Sequence, residues 1–193
     1  LITGRTRSDN GDVTFNHGDQ DIWIIKTDSI GEIEWQKTYG GSGYDASGGI
    51  IQTIDSGYLH SATTRSVDGD ITHSFGSNDI WIMKINNTGD LEWQKSIGGS
   101  EFDVSGSILQ ISGQRFILAG STSSNDGDVS GNHGGDDLWF VDFELLNTGV
   151  DDGVLPGFAI SVVPNPAEDS FVVIIAPETS GKYTYTLIDM SCR

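Results

Sequence analysis

The stretch Asp21-Ile-Trp-Ile-Ile-Lys26, followed after a turn by Glu34-Trp-Gln-Lys-Thr-Tyr-Gly-Gly41, specifies the architecture of this chain. It returns in 79–99, and its first half returns once more, at the same offset, in 137–142. Five tryptophans keep this register: Trp23, Trp81 and Trp139 form one set, and Trp35 and Trp93 form the other. A fixed period, here about 58 residues, indicates a repeat architecture in which like units pack against one another.

Each repeat contains four segments with the composition of β-strands. We place strands at 1–4, 21–26 and 32–39 in the first, partial repeat, and the next repeat begins with strands at 46–53 and 58–64. The run 21–26 is apolar without alternation, which is typical of a strand buried on both faces. The run 32–39 alternates apolar and polar residues, as a half-exposed strand does. Short turns rich in Gly, Asp and Ser connect the segments, so each repeat is predicted to form an antiparallel meander.

Repeating four-stranded meanders that bury both faces favour an all-β fold of the β-propeller type, in which the sheets stack radially as blades. The small-residue strand 46–53 would be innermost. Residues 1–145 would then hold a partial blade (1–39), a whole blade (44–99) and a partial blade (102–143), about two and a half blades. Either further blades lie upstream or the arc is open. The main alternative is a right-handed β-solenoid, whose coils are shorter than this repeat.

The charge of the chain limits its partners. The 193 residues contain 10 Lys and Arg against 28 Asp and Glu, which gives a net charge of −18. A surface this negative repels phosphate backbones and anionic lipids, so we expect no nucleic-acid partner.

No apolar run approaches the roughly 20 residues of a membrane span. The single cysteine, Cys192, excludes an intrachain disulfide. Leu1 lies inside a repeat, so we expect a longer protein with any signal peptide upstream.

The repeat pattern ends at Leu145, and the remaining sequence is of a different kind. Residues 146–157 have the composition of a linker. Residues 158–193 are predicted to form a separate small module with strands at 159–163, 169–175 and 183–188.

This last segment resembles the type A C-terminal sorting domain of the type IX secretion system of Bacteroidota. The residues that carry the resemblance are Pro164, Asn165, Pro166, Asp169, Asp189 and Arg193. The resemblance implies a small β-sandwich, truncated after about its first half, and export through the type IX secretion machinery. Cys192 stands where the family usually has glycine, and the missing strands imply that this fragment is not exported alone.

The repeats themselves resemble the β-propeller repeats of large secreted proteins from the same bacteria. The shared features are the Gly-Gly-Ser-x-x-Asp corner, at Gly40–Asp45 and Gly98–Asp103, and an Asp-Gly-Asp loop. The resemblance implies a secreted protein, extracellular or on the outer-membrane surface. It implies no reaction.

Acidic loops are the first candidate site. The carboxylates that we select are Asp12, Asp68, Asp70, Asp126 and Asp128. Carboxylate oxygens alternating with glycine are suited to Ca²⁺, which takes 6 to 8 oxygen ligands. The alternative is that each Asp-Gly-Asp forms hydrogen-bonded turns between two strands. We therefore predict no cofactor other than a candidate structural Ca²⁺.

Two tryptophans are the second candidate site. Trp35 and Trp93 lie on the predicted outermost strands, where an exposed indole stacks on sugar rings. The alternative is that they fill space between blades.

The sequence contains no catalytic constellation. The histidines do not keep the repeat register, and no zinc motif occurs. Asp45 and Asp103 recur in successive repeats, whereas a catalytic pair occurs once. We therefore expect a non-catalytic scaffold that binds a glycan or protein ligand. The alternatives are an accessory module of an extracellular polysaccharide- or peptide-degrading enzyme, or a carbohydrate-binding propeller.

Overall fold

The computed structural model describes residues 1–146, 157–162, 171–175 and 183–187, and the side chains of 1–145. All regular secondary structure in these ranges is β. The strands are β1 (Ile2–Thr6), β2 (Asp21–Thr27), β3 (Ile33–Tyr39), β4 (Asp45–Gln52), β5 (Tyr58–Thr64), β6 (Asp79–Ile85), β7 (Leu91–Ile97), β8 (Asp103–Ser112), β9 (Arg115–Thr122), β10 (Asp137–Leu146), β11 (Gly157–Val162), β12 (Phe171–Ile175) and β13 (Tyr183–Leu187).

The middle repeat forms a complete four-stranded antiparallel sheet, sheet 2, in the order β4-β5-β6-β7. Its pairings place Asp45 opposite Thr64, Thr64 opposite Asp79, and Ile80 opposite Ile97. This is the predicted meander, and its strand bounds lie close to the predicted ones. The antiparallel ladders exclude the β-solenoid, whose strands pair in parallel.

Sheets on either side repeat this arrangement. Sheet 1 has the order β1-β2-β3, and sheet 3 has the order β8-β9-β10-β11. In sheet 3, β11 pairs with β10 in the position that β7 occupies in sheet 2, with Phe143 opposite Ile160. The sequence pattern assigned 158–162 to the C-terminal module because the Glu-Trp-Gln-Lys signature of an outermost strand is missing there. The domain boundary at 158 remains a prediction.

The three sheets pack face to face through two cores. Sheets 1 and 2 share a core in which Ile22 and Ile24 of β2 meet Trp81 and Met83 of β6. Sheets 2 and 3 share the other core, where Ile82 of β6 packs with residues of β9 and β10. Successive side chains of a strand point to opposite faces. Alternate residues of β6 therefore enter different cores, and every residue of this strand is buried, as predicted for a strand covered on both sides.

Glycines allow the inner strands of sheets 2 and 3 to approach each other. A Cβ added at Gly48 of β4 would lie 2.7 Å from the Ser105 hydroxyl oxygen and 2.9 Å from the Gly106 carbonyl oxygen of β8. No larger residue fits at that separation. The small residues of this strand are thus required for the close packing of β4 against β8.

The C-terminal part contributes one further pair, in which β12 and β13 form a two-stranded antiparallel sheet. Both strands lie within predicted strand segments. The residues of the sorting-domain resemblance all lie outside the described residues: Pro164, Asn165, Pro166, Asp169, Asp189 and Arg193.

The described residues contain no helix with the length and apolar character that crossing a membrane requires.

Candidate functional site

A glycine-aspartate corner joins β3 of sheet 1 to β4 of sheet 2. It spans Gly40–Asp45, and Asp45 is fully buried. The Gly41 N–H donates to Asp45 Oδ2 at 2.8 Å, and the Ser66 hydroxyl donates to the same oxygen at 2.7 Å. The Thr64 hydroxyl donates to Asp45 Oδ1. One carboxylate therefore ties the corner to the end of β5.

The next corner, Gly98–Asp103, has the same network. The Gly99 N–H donates to Asp103 Oδ2 at 2.7 Å, the Ser124 hydroxyl donates to that oxygen at 2.9 Å, and the Thr122 hydroxyl donates to Oδ1. Each partner stands one repeat period after its counterpart in the first corner. A network that recurs with the repeat, and that lies inside the protein, serves the architecture.

The Asp-Gly-Asp loops hold the same corners from outside. The Ser42 N–H donates to Asp68 Oδ1 at 2.7 Å, and the Gly40 N–H donates to Asp70 Oδ2 at 3.1 Å. The Asp70 N–H donates back to the Gly40 carbonyl at 2.9 Å. The hydrogen bond from the Ser42 backbone lowers the pKa of Asp68 below its ordinary value. The loop carboxylates therefore bind backbone N–H groups of the corner.

The third loop repeats these contacts. The Ser100 N–H donates to Asp126 Oδ1 at 2.7 Å and lowers the pKa of Asp126. Gly98 donates to Asp128 Oδ2 at 3.4 Å. In sheet 1 the corresponding Asp12 is exposed. Among residues 1–145, no group of three or more His, Cys, Asp or Glu side chains is arranged to hold a metal ion. These contacts favour the alternative of hydrogen-bonded turns, and calcium binding is the candidate that a titration has to test.

A chelator titration tests calcium binding. If Asp68, Asp70, Asp126 and Asp128 act only as hydrogen-bond acceptors, excess EDTA should leave the melting temperature unchanged, and that is the result we expect. A bound Ca²⁺ would stabilise the folded state by mass action. A melting temperature that falls with EDTA and recovers with CaCl₂, but not with NaCl of equal ionic strength, would establish the calcium site instead.

No residue other than glycine fits at the first position of each corner. Gly40 has φ +155°, and a Cβ added to it would lie 2.6 Å from Asp45 Oδ2 and 2.9 Å from Asp21 Oδ1. Gly98 has φ +159°, with Asp79 Oδ1 and Asp103 Oδ2 at similar separations. Two buried carboxylates thus face each first glycine.

Burial changes the ionisation of the two corner aspartates, Asp45 and Asp103. Burial raises the pKa of Asp45, the hydrogen bonds from Thr64, Gly41 and Ser66 offset part of that rise, and nearby Asp21 adds to it. Asp103 follows the same pattern beside Asp79. Asp21 Oδ1 and Asp79 Oδ1 are buried and accept no hydrogen bond from the described residues. Asp45 and Asp103 therefore favour a bound proton more than exposed acids do.

An NMR titration of the carboxyl carbons should show this. We expect midpoints for Asp45 and Asp103 above the ordinary 3.8. A raised folded-state pKa means that the stability contributed by the group is present below the unfolded value and is lost as the pH rises through the folded value. Asp55 is the internal control. Burial raises its pKa, but hydrogen bonds from Thr53, Lys84 and Gly57 outweigh that effect and lower it to about 2. Midpoints at or below 3.8 for the two corner acids would mean that their hydrogen bonds outweigh the effect of burial, contrary to this expectation.

The two candidate stacking tryptophans lie between the sheets. Trp93 is only 9% exposed and belongs to the core shared by sheets 2 and 3. Trp35 is half-buried; its indole N–H donates to the Asn87 carbonyl at 3.0 Å, and its ring meets Tyr58 edge to face at 6.3 Å. The geometry favours the packing alternative. Sugar stacking at these positions remains a prediction.

Exposed aromatic residues occur instead on the side that carries the corners and the long loops. Phe15 is 58% exposed and meets His17 edge to face at 4.6 Å. In the next repeat His73 and Phe75 form the same pair with the order reversed. Phe102, beside the second corner, is 50% exposed. The sequence analysis aligned His17 and His133 with Phe75 but did not extend the comparison to the residues two positions earlier, Phe15 and His73. The swapped order, Phe15-x-His17 against His73-x-Phe75, was the available signal.

One histidine stands outside the repeat. His60 is fully buried between sheets 1 and 2, with Nε2 2.9 Å from the Ser47 hydroxyl and 3.2 Å from the Thr3 hydroxyl. Burial lowers the pKa of His60 to about 3, so the ring is neutral at physiological pH. Its Nδ1 has no hydrogen-bond partner among the described residues. A serine-histidine pair of this kind lacks the carboxylate that orients the base in hydrolytic triads.

Comparison with models of known protein families gave no match, and comparison with curated proteins gave none either.

Proposed function

We propose that this chain forms part of a β-propeller that acts as a non-catalytic binding scaffold, secreted or displayed at the cell surface through type IX secretion. The observation that carries the proposal is the corner network, which recurs in register with the repeat at two successive sheet-sheet junctions. The same corner, with the same hydrogen bonds, links sheet 1 to sheet 2 and sheet 2 to sheet 3. Repetition of one radial step is how a propeller is built.

The use of the acidic residues supports a scaffold over an enzyme. Asp45 and Asp103 are enclosed by donors from the same repeat, and Asp68 and Asp126 bind backbone N–H groups. A carboxylate with this role maintains the fold. Loops carry binding residues more often than strands do, so the side of the long loops is where a ligand would meet the scaffold.

A carbohydrate ligand is the second candidate, and the exposed aromatic side chains on the loop side favour it. Phe15 and Phe102 are exposed, and Asn16 and Glu101 adjoin them in the sequence. Aromatic faces stack on the apolar side of sugar rings, and carboxylates accept hydrogen bonds from sugar hydroxyls.

A glycan array tests the ligand directly. We expect the protein to bind at least one glycan, and the double substitution Phe15→Ser and Phe102→Ser to abolish that binding. Ile54→Ser is the matched control, because Ile54 is 83% exposed on the opposite side, in the β4-β5 turn. Absence of binding to every glycan, or equal loss in the Ile54→Ser variant, would remove the carbohydrate candidate.

Cell-surface placement has its own test. In a bacterium with a type IX system, an antibody to the repeats should label intact cells or the culture medium. Disruption of the secretion system should move the signal into the periplasm. Retention of the signal in the cytoplasm of both strains would contradict the placement.

A further inference from the structure

One buried histidine lies at the interface of sheets 1 and 2. His60 of β5 is fully buried, and its Nε2 lies 3.2 Å from the Thr3 hydroxyl of sheet 1 and 2.9 Å from the Ser47 hydroxyl of sheet 2. The two hydroxyl oxygens lie 2.7 Å from each other. These three side chains therefore form a small polar cluster that bridges the two sheets inside their interface.

The interface of sheets 2 and 3 has the same two hydroxyl positions without the histidine. One repeat period later, Ser61 and Ser105 carry the hydroxyl groups, and Leu118 stands at the position of the histidine. Leu118 is fully buried in the core that sheets 2 and 3 share. A titratable ring thus occupies this position at one interface, and an apolar side chain occupies it at the other.

Sheet 1 places no negative charge against His60. Successive side chains of a strand point to opposite faces, so the charged residues of its strands that share the face of Thr3 are the cations Arg5, Lys26 and Lys37. The Arg5 guanidinium donates to a tyrosine hydroxyl at 2.8 Å, and the two lysines pair with carboxylates elsewhere, at 2.8 Å and 2.5 Å. A proton on His60 would therefore meet only further positive charge from this side.

Sheet 2 places no carboxylate beside His60 either. The buried acids of this interface, Asp21 and Asp45, belong to the corner, and Asp45 is opposite Thr64, four residues along β5 from His60. The residues that the strands of sheet 2 contribute to this core near the ring are apolar or aromatic: Ile50 of β4, Tyr58 and Ala62 of β5, and Trp81 and Met83 of β6.

The surroundings of His60 therefore disfavour its charged form. Burial lowers the pKa of His60 from 6.5 to about 3. A protonated imidazole has two N–H donors, and Nδ1 has no acceptor among the described residues. Because the folded-state pKa is depressed, the contribution of this group to stability is complete above pH 6.5 and is lost progressively as the pH falls towards 3.

We infer that the interface of sheets 1 and 2 is acid-sensitive: in mildly acidic surroundings it opens at His60, while the interface of sheets 2 and 3 stays closed. Opening brings the imidazole into water, where it binds a proton, and the charged ring then resists return to the buried site. The separation exposes the facing apolar side chains of Ile22, Ile24 and Trp81, which the closed interface buries. Acidity thus controls whether sheet 1 stays attached to the rest of the scaffold.

Amide hydrogen exchange of the 193-residue protein tests this, with opening constants corrected for the intrinsic exchange rate at each pH. A detached sheet 1 loses the core that stabilises it, so its amides report the opening. Between about pH 7 and about pH 4.5, the opening constant of the β2 amides should rise about a hundredfold, since about pH 4.5 lies about two units below the unfolded pKa. The β10 amides of sheet 3 should change about tenfold less or smaller still.

Three variants separate His60 from the other titratable groups. His60→Leu installs the residue of the next repeat, and His60→Gln keeps a neutral side chain that bonds to hydroxyl groups. Both should remove the hundredfold rise at β2, although both retain His17, Asp21 and Asp45. His73→Leu, at an exposed position, should keep the rise. A rise that persists in both His60 variants, or an equal rise at β2 and β10 in the unaltered protein, would overturn the proposal.

Discussion

Replacing Trp81 with alanine is expected to lower the free energy of unfolding by about 3–5 kcal/mol, the range for a buried tryptophan in a core that does not collapse. Trp81 is fully buried and packs between β6 and sheet 1 in the same core as Ile22 and Ile24. Its removal exposes facing surfaces that belong to two different sheets. The loss measures how firmly those sheets are joined.

Trp23→Ala is the matched control for this substitution. Trp23 stands at the same position of the repeat and donates the same indole hydrogen bond, to Gln36 at 3.0 Å against Gln94 at 2.8 Å for Trp81. It is only half-buried, because its side of sheet 1 is uncovered. Chemical denaturation should therefore show a clearly smaller loss for Trp23→Ala. Equal losses would mean that sheet stacking does not bury Trp81.

Asp45→Ala has the second large expected effect, a loss of about 3 kcal/mol or more in the free energy of unfolding. The substitution leaves the Gly41 N–H and the Ser66 and Thr64 hydroxyl groups without their acceptor in a buried place. Each unsatisfied buried donor costs about 1–3 kcal/mol. The corner that links sheet 1 to sheet 2 also loses its anchor.

Two further variants make this prediction specific to the repeat network. Asp103→Ala should cause a loss of similar size, since Asp103 has the same partners one repeat later. Asp12→Ala should change the free energy of unfolding by no more than about 0.5 kcal/mol, as exposed substitutions do. If Asp12→Ala and Asp45→Ala destabilise equally, the buried network does not hold the corner.

Much of the fold was predictable because the copies of the repeat can be aligned with one another within this one sequence. The Asp-Ile-Trp run occurs in Asp21–Lys26 and again in Asp79–Lys84, and each copy is bounded by glycine-rich turns. The strand type and the antiparallel strand order follow from that pattern and are confirmed. The propeller closure and the sorting domain remain proposals.

The roles of the acidic residues were harder to predict, because their partners are distant in the sequence. Asp68 binds the Ser42 N–H, which is 26 residues away. A loop containing Asp-Gly-Asp has the same composition whether it binds a cation or a backbone. The sequence alone therefore left calcium and hydrogen-bonded turns as alternatives.

Two other features escaped prediction for physical reasons. The pairing of β11 with β10 joins strands on either side of residues 147–156, and β11 lacks the tryptophan signature of its position. The alternation of apolar and polar residues in its strand predicted that Trp93 is half-exposed. Sheet 3 packs on the face of the strand that carries Trp93 and buries it. Both depend on which sheets become neighbours, and strand periodicity does not specify that.

A disulfide between sheets is the most direct test of whether sheet 1 stacks on sheet 2. The Thr3 hydroxyl of β1 lies 2.7 Å from the Ser47 hydroxyl of β4. In a Cys192→Ser background, the pair Thr3→Cys and Ser47→Cys should oxidise to a disulfide, because an S–S bond of about 2.05 Å needs only a small shift. The pair Thr3→Cys and Ser105→Cys, with the second site one sheet further on, should remain as free thiols. Equal cross-linking of both pairs, or of neither, would contradict the stacking of the sheets.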